Sequence, residues 1–276
     1  MNEAPVGHQC PECVTTGRRT QRRALTAFGG TQLGQRGYAT TALVGLNVLM
    51  MLIALASAGR ASGVLVGGGW GGLLGGQTPL HYWGALIGAP TAYADRQGIT
   101  VATVDGVAGG EYYRLITSMF LHFGLLHLLM NMWALLVLGR LLEAALGPWR
   151  FLALYLVSGF GGSVAVYFFS DPHTVTAGAS GAIFGLFGAL ILVLRKLGRS
   201  VSSVLPILAI NLFITFSVPG ISIAGHLGGL VTGAAIGAGL AYAPKEGRTA
   251  VQVAAVVGAL VILGALTLVR TATLGA

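Results

Sequence analysis

Gly178-Ala179-Ser180-Gly181 stands at the border between a short polar segment, Asp171-Pro172-His173-Thr174, and an apolar run over residues 182–194. A serine hydroxyl is thereby held at the mouth of a hydrophobic helix, beside glycines that let other backbone approach closely. Serine alone is a poor nucleophile and needs a base within hydrogen-bond reach. The histidine downstream of it is His226, in Gly225-His226-Leu227-Gly228-Gly229, and it too opens an apolar run. Two membrane helices that each begin with a polar group can bring those groups together at one depth, which makes Ser180 and His226 a candidate dyad. Serine among small residues is also a common packing element between membrane helices. A histidine inside a membrane is costlier and points to function by default.

Only 9% of the 276 residues are charged and 54% are hydrophobic, whereas soluble domains are about a quarter charged. The chain is therefore expected to be an all-α integral membrane protein. Its net charge of +8 is not gathered into a stripe with interleaved aromatics, so nucleic acid is not an expected partner. Seven apolar runs, about 39–57, 119–141, 151–169, 180–194, 201–217, 225–243 and 250–269, are candidate spans of a ~30 Å hydrocarbon core. With the N-terminus inside, twelve basic residues fall on inner segments: Arg18, Arg19, Arg22, Arg23, Arg36, Arg140, Arg150, Arg195, Lys196, Arg199, Lys245 and Arg248. Four, Arg60, Arg96, Arg114 and Arg270, fall on outer ones. This bias predicts a cell-membrane, multi-pass protein with a cytoplasmic N-terminus and an outer C-terminus.

Residues 1–38 read as a cytoplasmic basic tail, mobile over 14–38, that carries the two cysteines in His8-Gln9-Cys10-Pro11-Glu12-Cys13. A closed structural zinc site takes four ligands. Cys10 and Cys13 are only a partial site even with His8, and no metal or cofactor is expected. Ala54-Leu55-Ala56 mimics a signal-peptidase site, but the first run is longer than the 7–15 residues of a signal core. It reads as an uncleaved first helix.

Residues 58–118, rich in glycine with Trp70, Tyr82, Trp83, Tyr93, Tyr112 and Tyr113, suit an outer loop in the headgroup layer. The second run carries His122, His127 and Asn131. His127 and Asn131, four apart, share one helix face, and His122 is turned away from it. Topology brings these groups to the depth of Ser180 and His226. Acyl transfer would account for them, because its tetrahedral intermediate needs preorganised donors for an oxyanion. Glu143, three residues after Arg140, reads as half of a surface ion pair. Gly181, Gly185 and Gly188 in the fourth run, and Gly229, Gly233 and Gly237 in the sixth, allow the close helix approach that a Ser–His hydrogen bond requires. The seventh run reads as an appended helix.

Other chemistries lack their residues. No histidine precedes a glutamate, so the H-E-x-x-H of a zinc protease is absent. None of the eight acids, Glu3, Glu12, Asp95, Asp105, Glu111, Glu143, Asp171 and Glu246, is central in a run. A dyad therefore reads better than a triad completed by Asp171.

Taken together, Tyr113-Arg114, His122-x4-His127-x3-Asn131, Glu143-x3-Gly147, Gly178-Ala179-Ser180-Gly181 and His226-x2-Gly229-x3-Gly233 resemble the rhomboid family of intramembrane serine proteases, over residues 39–243. The resemblance implies a rhomboid-like six-helix core over 39–243 with the appended helix in 244–276. It implies Ser180 as nucleophile, His226 as its base, and His127, Asn131 and the Ser180 backbone N–H as the oxyanion site. His122, Tyr113, Arg114, Phe184, Gly178, Gly181 and Gly229 would be structural supports. Phe184 stands where many members place a tyrosine on the catalytic histidine, which keeps the stacking surface and loses a hydroxyl. The C-x2-C resembles half of a longer zinc-binding tail of bacterial relatives, so the start of the chain is expected to be incomplete. The implied function is cleavage of transmembrane segments of other membrane proteins near the outer leaflet. The alternatives are a catalytically silent rhomboid-like protein that binds membrane clients, and a solute channel, for which the chain shows no inverted repeat.

Overall fold

The computed structural model describes residues 2–3, 7–20, 25–58, 76–94 and 100–275. Arg22, Arg23, Arg60, Trp70, Asp95 and Arg96, which enter the sequence reading, lie outside the described residues.

Helices follow all seven apolar runs: α2 (Tyr38–Ala58), α5 (Leu125–Leu146), α6 (Pro148–Phe169), α7 (Ser180–Lys196), α8 (Val204–Ser217), α9 (Ile223–Tyr242) and α10 (Arg248–Leu274). Three short helices, α1 (Pro11–Thr20), α3 (Pro79–Gly84) and α4 (Arg114–Thr117), lie outside the runs. Five helices, α2, α5, α6, α9 and α10, are long and apolar enough to cross a membrane. The other two, α7 and α8, have 17 and 14 residues. Their shortness has a consequence for α7. Its 17 residues rise about 26 Å, less than the ~30 Å hydrocarbon core.

The middle of α7 is enclosed, with every residue from Ala182 to Leu190 buried, and its most extensive packing is on α9 and α6. Glycine makes this possible. A Cβ on Gly229 of α9 would run into the carbonyl oxygen of Gly181 on α7, and one on Gly233 would run into the backbone of Gly185. Gly162 of α6 joins the same crossing, since its Cβ would stand 2.8 Å from the Gly225 carbonyl oxygen and 3.3 Å from the Gly181 Cα. Three backbones meet one residue away from both Ser180 and His226.

Three expectations are corrected. The second helix begins at Leu125, not at residue 119, because Ser118–Phe120 is a 3₁₀ turn and Gly124 takes φ +84°, a conformation that breaks helical propagation. His122 therefore sits in the approach to the helix and not on its surface. Glu143 is no surface ion pair with Arg140. It is fully buried, and its carboxylate accepts from Ala39 N (2.9 Å), Thr40 N (2.8 Å) and Thr40 Oγ1 (2.7 Å). A carboxylate at the first backbone N–H groups of α2 satisfies donors that have no partner within the helix. The segment read as a mobile tail is anchored from Leu25 onward. Phe28 is buried, its carbonyl accepts from Gln252 Nε2 of α10 at 3.2 Å, and Gln252 Oε1 accepts from Arg150 Nε at 2.7 Å. Cys10 and Cys13 are both exposed.

The described part of the outer loop is folded. Strands β3 (Thr91–Ala94) and β4 (Thr100–Val104) form an antiparallel hairpin, and β1 (Asn2–Glu3) pairs with β2 (His8–Gln9) near the N-terminus. Tyr82, Ile87, Tyr93 and Val104 enclose a small core beneath the β3–β4 hairpin. Leu86 bridges to Thr176, two residues before Gly178.

Because Glu143 closes three donors at once, Glu143→Ala is expected to leave Ala39 N and Thr40 N buried without acceptors. The expected loss is about 1–3 kcal/mol, read as a lower unfolding midpoint in detergent. An unchanged midpoint would show that the carboxylate does not hold α2.

Candidate active site

Ser180 is the first residue of α7, and Gly178, two residues earlier, adopts φ +138°. A side chain at 178 is excluded by space as well as by conformation. Its Cβ would stand 2.9 Å from both Cε1 and Nε2 of His127 and 3.7 Å from Ser180 Oγ. The turn is fixed from outside by Gly178 N donating to the Ser118 carbonyl at 2.9 Å, and by Ala179 N donating to His122 Nε2 at 3.4 Å. As the first helical residue, Ser180 has a backbone N–H with no acceptor inside its own helix.

His226 enters from α9. Ser222 caps that helix, accepting from Gly225 N at 3.1 Å, and its carbonyl accepts from His226 N at 3.1 Å. The imidazole is 8% exposed, and Nε2 lies 2.8 Å from Ser180 Oγ. Phe184, one turn along α7 from Ser180, stacks on the imidazole with centroids 4.1 Å apart and planes at 15°. The other ring nitrogen, Nδ1, lies 2.8 Å from Thr215 Oγ1 of α8.

His127 and Asn131 are one turn apart on α5. His127 faces the Gly178 turn and meets His122 edge-on at a centroid distance of 5.0 Å. Asn131 is 6% exposed, and its Nδ2 donates to the His127 carbonyl at 2.8 Å. That leaves the second N–H of the same amide for another acceptor. The structure thus brings Ser180, His226, His127 and Phe184 around the Gly178 turn, with Asn131 on the adjoining turn of α5. Asp171 is not among them: it is exposed and accepts from His173 N at 2.8 Å.

The remaining supports form an outer clamp. Arg114 is fully buried, donates from Nε to Glu111 Oε2 at 2.7 Å and from an Nη to the Ala85 carbonyl at 2.9 Å. Tyr113 is half exposed, reaches Glu111 Oε1 with its hydroxyl at 3.1 Å, and lies under the Arg114 guanidinium.

Two residues escaped the sequence reading. Thr215 is one of few polar residues in the fifth run, and its place near the C-terminal end of α8 was the signal. His81 is 1% exposed; its Nδ1 accepts from Thr78 N at 3.0 Å, so its Nε2 donates to the His122 carbonyl at 3.2 Å. Its ring stacks on Phe123. Burial, outweighing these hydrogen bonds, pushes the His81 imidazole from 6.5 down to about 4. Burial, with the neighbouring His127 and His81 adding to it, takes His122 to about 3.

Comparison with known proteins places the chain in a family. The model of the rhomboid domain matches residues 109–243. The rhomboid protease GluP of Bacillus subtilis (strain 168) is 42% identical over 149 residues, which is 51% of this chain and 28% of GluP. RHOMBOID-like protein 6, mitochondrial, of Arabidopsis thaliana is 39% identical over 148 residues, 51% of this chain and 48% of that protein. The protein YdcA of Bacillus subtilis (strain 168) is 41% identical over 133 residues, 46% of this chain and 67% of YdcA. Thus the chain spans only part of its relatives, between about a quarter and two thirds of these three. A multi-pass helical bundle with a serine and a histidine in contact at two helix starts defines the class as a homologue of intramembrane serine proteases. The chain belongs to the rhomboid family.

His81 supplies a pH dependence. Its folded value lies below its ordinary one, so the stability it contributes is complete above about 6.5 and is lost as pH falls toward about 4. Thermal unfolding in detergent is expected to come at lower temperature across that interval, and His81→Gln to flatten the slope. An equal slope in the variant would remove His81 as its source.

Proposed function

We propose that the chain is an intramembrane serine endopeptidase that cleaves transmembrane segments of other membrane proteins near the outer leaflet. The observation that carries this reading is the 2.8 Å contact between Ser180 Oγ and His226 Nε2, made in the first turns of two apolar helices. In the proposed reaction His226 Nε2 takes the Ser180 proton as Oγ attacks the scissile carbonyl carbon. The resulting oxyanion is held by the Ser180 N–H, His127 and the Asn131 amide. Collapse breaks the C–N bond, the leaving amine takes the proton from His226, and an ester on Ser180 remains. Water then gives a proton to His226 and attacks the ester; the acid departs and Ser180 regains its hydrogen.

Several features support the assignment of roles. Phe184 keeps the imidazole plane fixed by stacking, and His122, Gly178, Gly181 and Gly229 hold the serine turn and the helix crossing. Arg114 and Tyr113 hold the outer loop over it. The positive-inside bias puts the N-terminus in the cytoplasm and the C-terminus outside, so the site opens toward the outer surface. A helical peptide bond is shielded until it unwinds, so substrates with small, helix-weakening residues near the cut are favoured.

The test uses the purified full chain with a model transmembrane substrate. Ser180→Ala and His226→Ala are each expected to lower cleavage by at least about a thousandfold, and Asn131→Ala to lower kcat by about a hundredfold. Labelling by a serine-directed phosphonate is expected to vanish with Ser180→Ala. Cleavage that survives both dyad changes would refute the assignment.

A further inference from the structure

We infer that Thr215 is a positioning residue that fixes the tautomer of His226, completing a chain of hydrogen bonds that runs from Ser180 to the Asn211 carbonyl. The inference rests on the proposed role of His226 as base and adds to it a third participant, uncharged and borne by a third helix.

The argument is a count of protons. Thr215 Oγ1 has two polar neighbours: the Asn211 carbonyl oxygen at 2.7 Å, one turn back in α8, and His226 Nδ1 at 2.8 Å. A carbonyl oxygen only accepts, and a hydroxyl carries one proton. That proton goes to Asn211, as back-bonding threonines in helices ordinarily do. Oγ1 must then accept from Nδ1–H. A neutral imidazole with its proton on Nδ1 presents a bare lone pair at Nε2, and Nε2 is the atom 2.8 Å from Ser180 Oγ. The polarity is single throughout: Ser180 O–H to Nε2, Nδ1–H to Thr215 Oγ1, and Thr215 O–H to the Asn211 carbonyl. Bonds aligned in this sense strengthen one another.

The reverse polarity fails on the same count. Were Thr215 to donate to Nδ1, two oxygens would face each other at 2.7 Å without a proton between them. Nε2 would then carry a hydrogen toward Ser180, and the imidazole could not act as its base. Burial gives the contact weight. Thr215 is 2% exposed, one of only three residues of α8 that are buried, the others being Val204 and Leu208. Among the described residues no carboxylate is bonded to Nδ1, and Asp171, the acid nearest in sequence to the Ser180 turn, is exposed and bonded to His173 N.

Thr215→Val keeps the side-chain shape and removes the acceptor; Thr215→Ser keeps the acceptor. In the full-length protein, Thr215→Val is expected to lower kcat for a model transmembrane substrate roughly ten- to a hundredfold, because a buried Nδ1–H is left unpaired. KM should stay unchanged, and Thr215→Ser should restore kcat to within about threefold of the parent. An independent readout is the ¹⁵N spectrum of labelled His226 in Ser180→Ala protein, where the Nδ1–H tautomer should dominate and should lose that dominance when Thr215→Val is added. A parent-like kcat in Thr215→Val, or an Nε2–H tautomer in the Ser180→Ala protein, overturns the inference. These results are separable from failure of the protease reading, in which Ser180→Ala itself would still cleave, while the tautomer measurement needs no activity.

Discussion

The site depends on the point where α6, α7 and α9 touch through Gly162, Gly181 and Gly225. Side chains hold packed helices about 8–10 Å apart, too far for a serine hydroxyl on one to meet an imidazole on the next without long, mobile side chains. Removing Cβ atoms at the crossing lets the backbones themselves come into contact, and the short Ser180 side chain then reaches Nε2. In a bilayer there is no hydrophobic force between helices to supply this closeness. Shape must do it, and the glycines continue down both helices through Gly185 against Gly233 and Ala189 against Gly237.

Closeness alone would leave the serine turn free to rotate, and the segments around Leu86 and Ser118 remove that freedom. Gly178 N is held by Ser118, Ala179 N by His122, and Thr176 by Leu86. Each of those partners is itself pinned. The His122 carbonyl accepts from His81, and the segment bearing Ala85 and Leu86 is tied to buried Arg114. On the opposite surface Glu143 and Gln252 tie α2 and the segment around Phe28 to the bundle. Buried polar groups therefore hold both ends of the bundle, where the backbone leaves its helices and needs partners.

Much of this was legible in the residues. Hydropathy located seven helices because each must present apolar surface over most of its length, and the Ser180 and His226 pair stood out because polar groups at helix starts are costly in lipid. The errors share a cause, which is that sequence neighbours were preferred to spatial ones. Arg140 lies three residues from Glu143, yet the true partner is Thr40, 103 residues away. Hydropathy alone starts the second helix at residue 119, whereas the φ of Gly124 holds its start back to Leu125. Thr215 drew no attention, because a threonine in a helix ordinarily back-bonds to its own backbone, as this one does to Asn211; that the same oxygen also meets His226 follows only from the placement of α8 against α9. The β3–β4 hairpin was hidden by the glycine and aromatic content of the loop around it.

A neutral third partner suits this location better than the carboxylate familiar from water-soluble hydrolases. A buried carboxylate costs several kcal/mol in desolvation unless it is fully paired, and here it would have to be carried into the bundle on α8, a helix without any charged residue. A threonine whose proton is already committed to a backbone carbonyl offers an acceptor of fixed direction with no net charge to desolvate. It stabilises a protonated imidazole less than a carboxylate would. The proposed reaction then asks more of its oxyanion donors, for which His127, Asn131 and the first N–H of α7 are the candidates. In that reaction, charge developing on the substrate oxygen would be met by donors already in place, which in a low dielectric is the stronger lever.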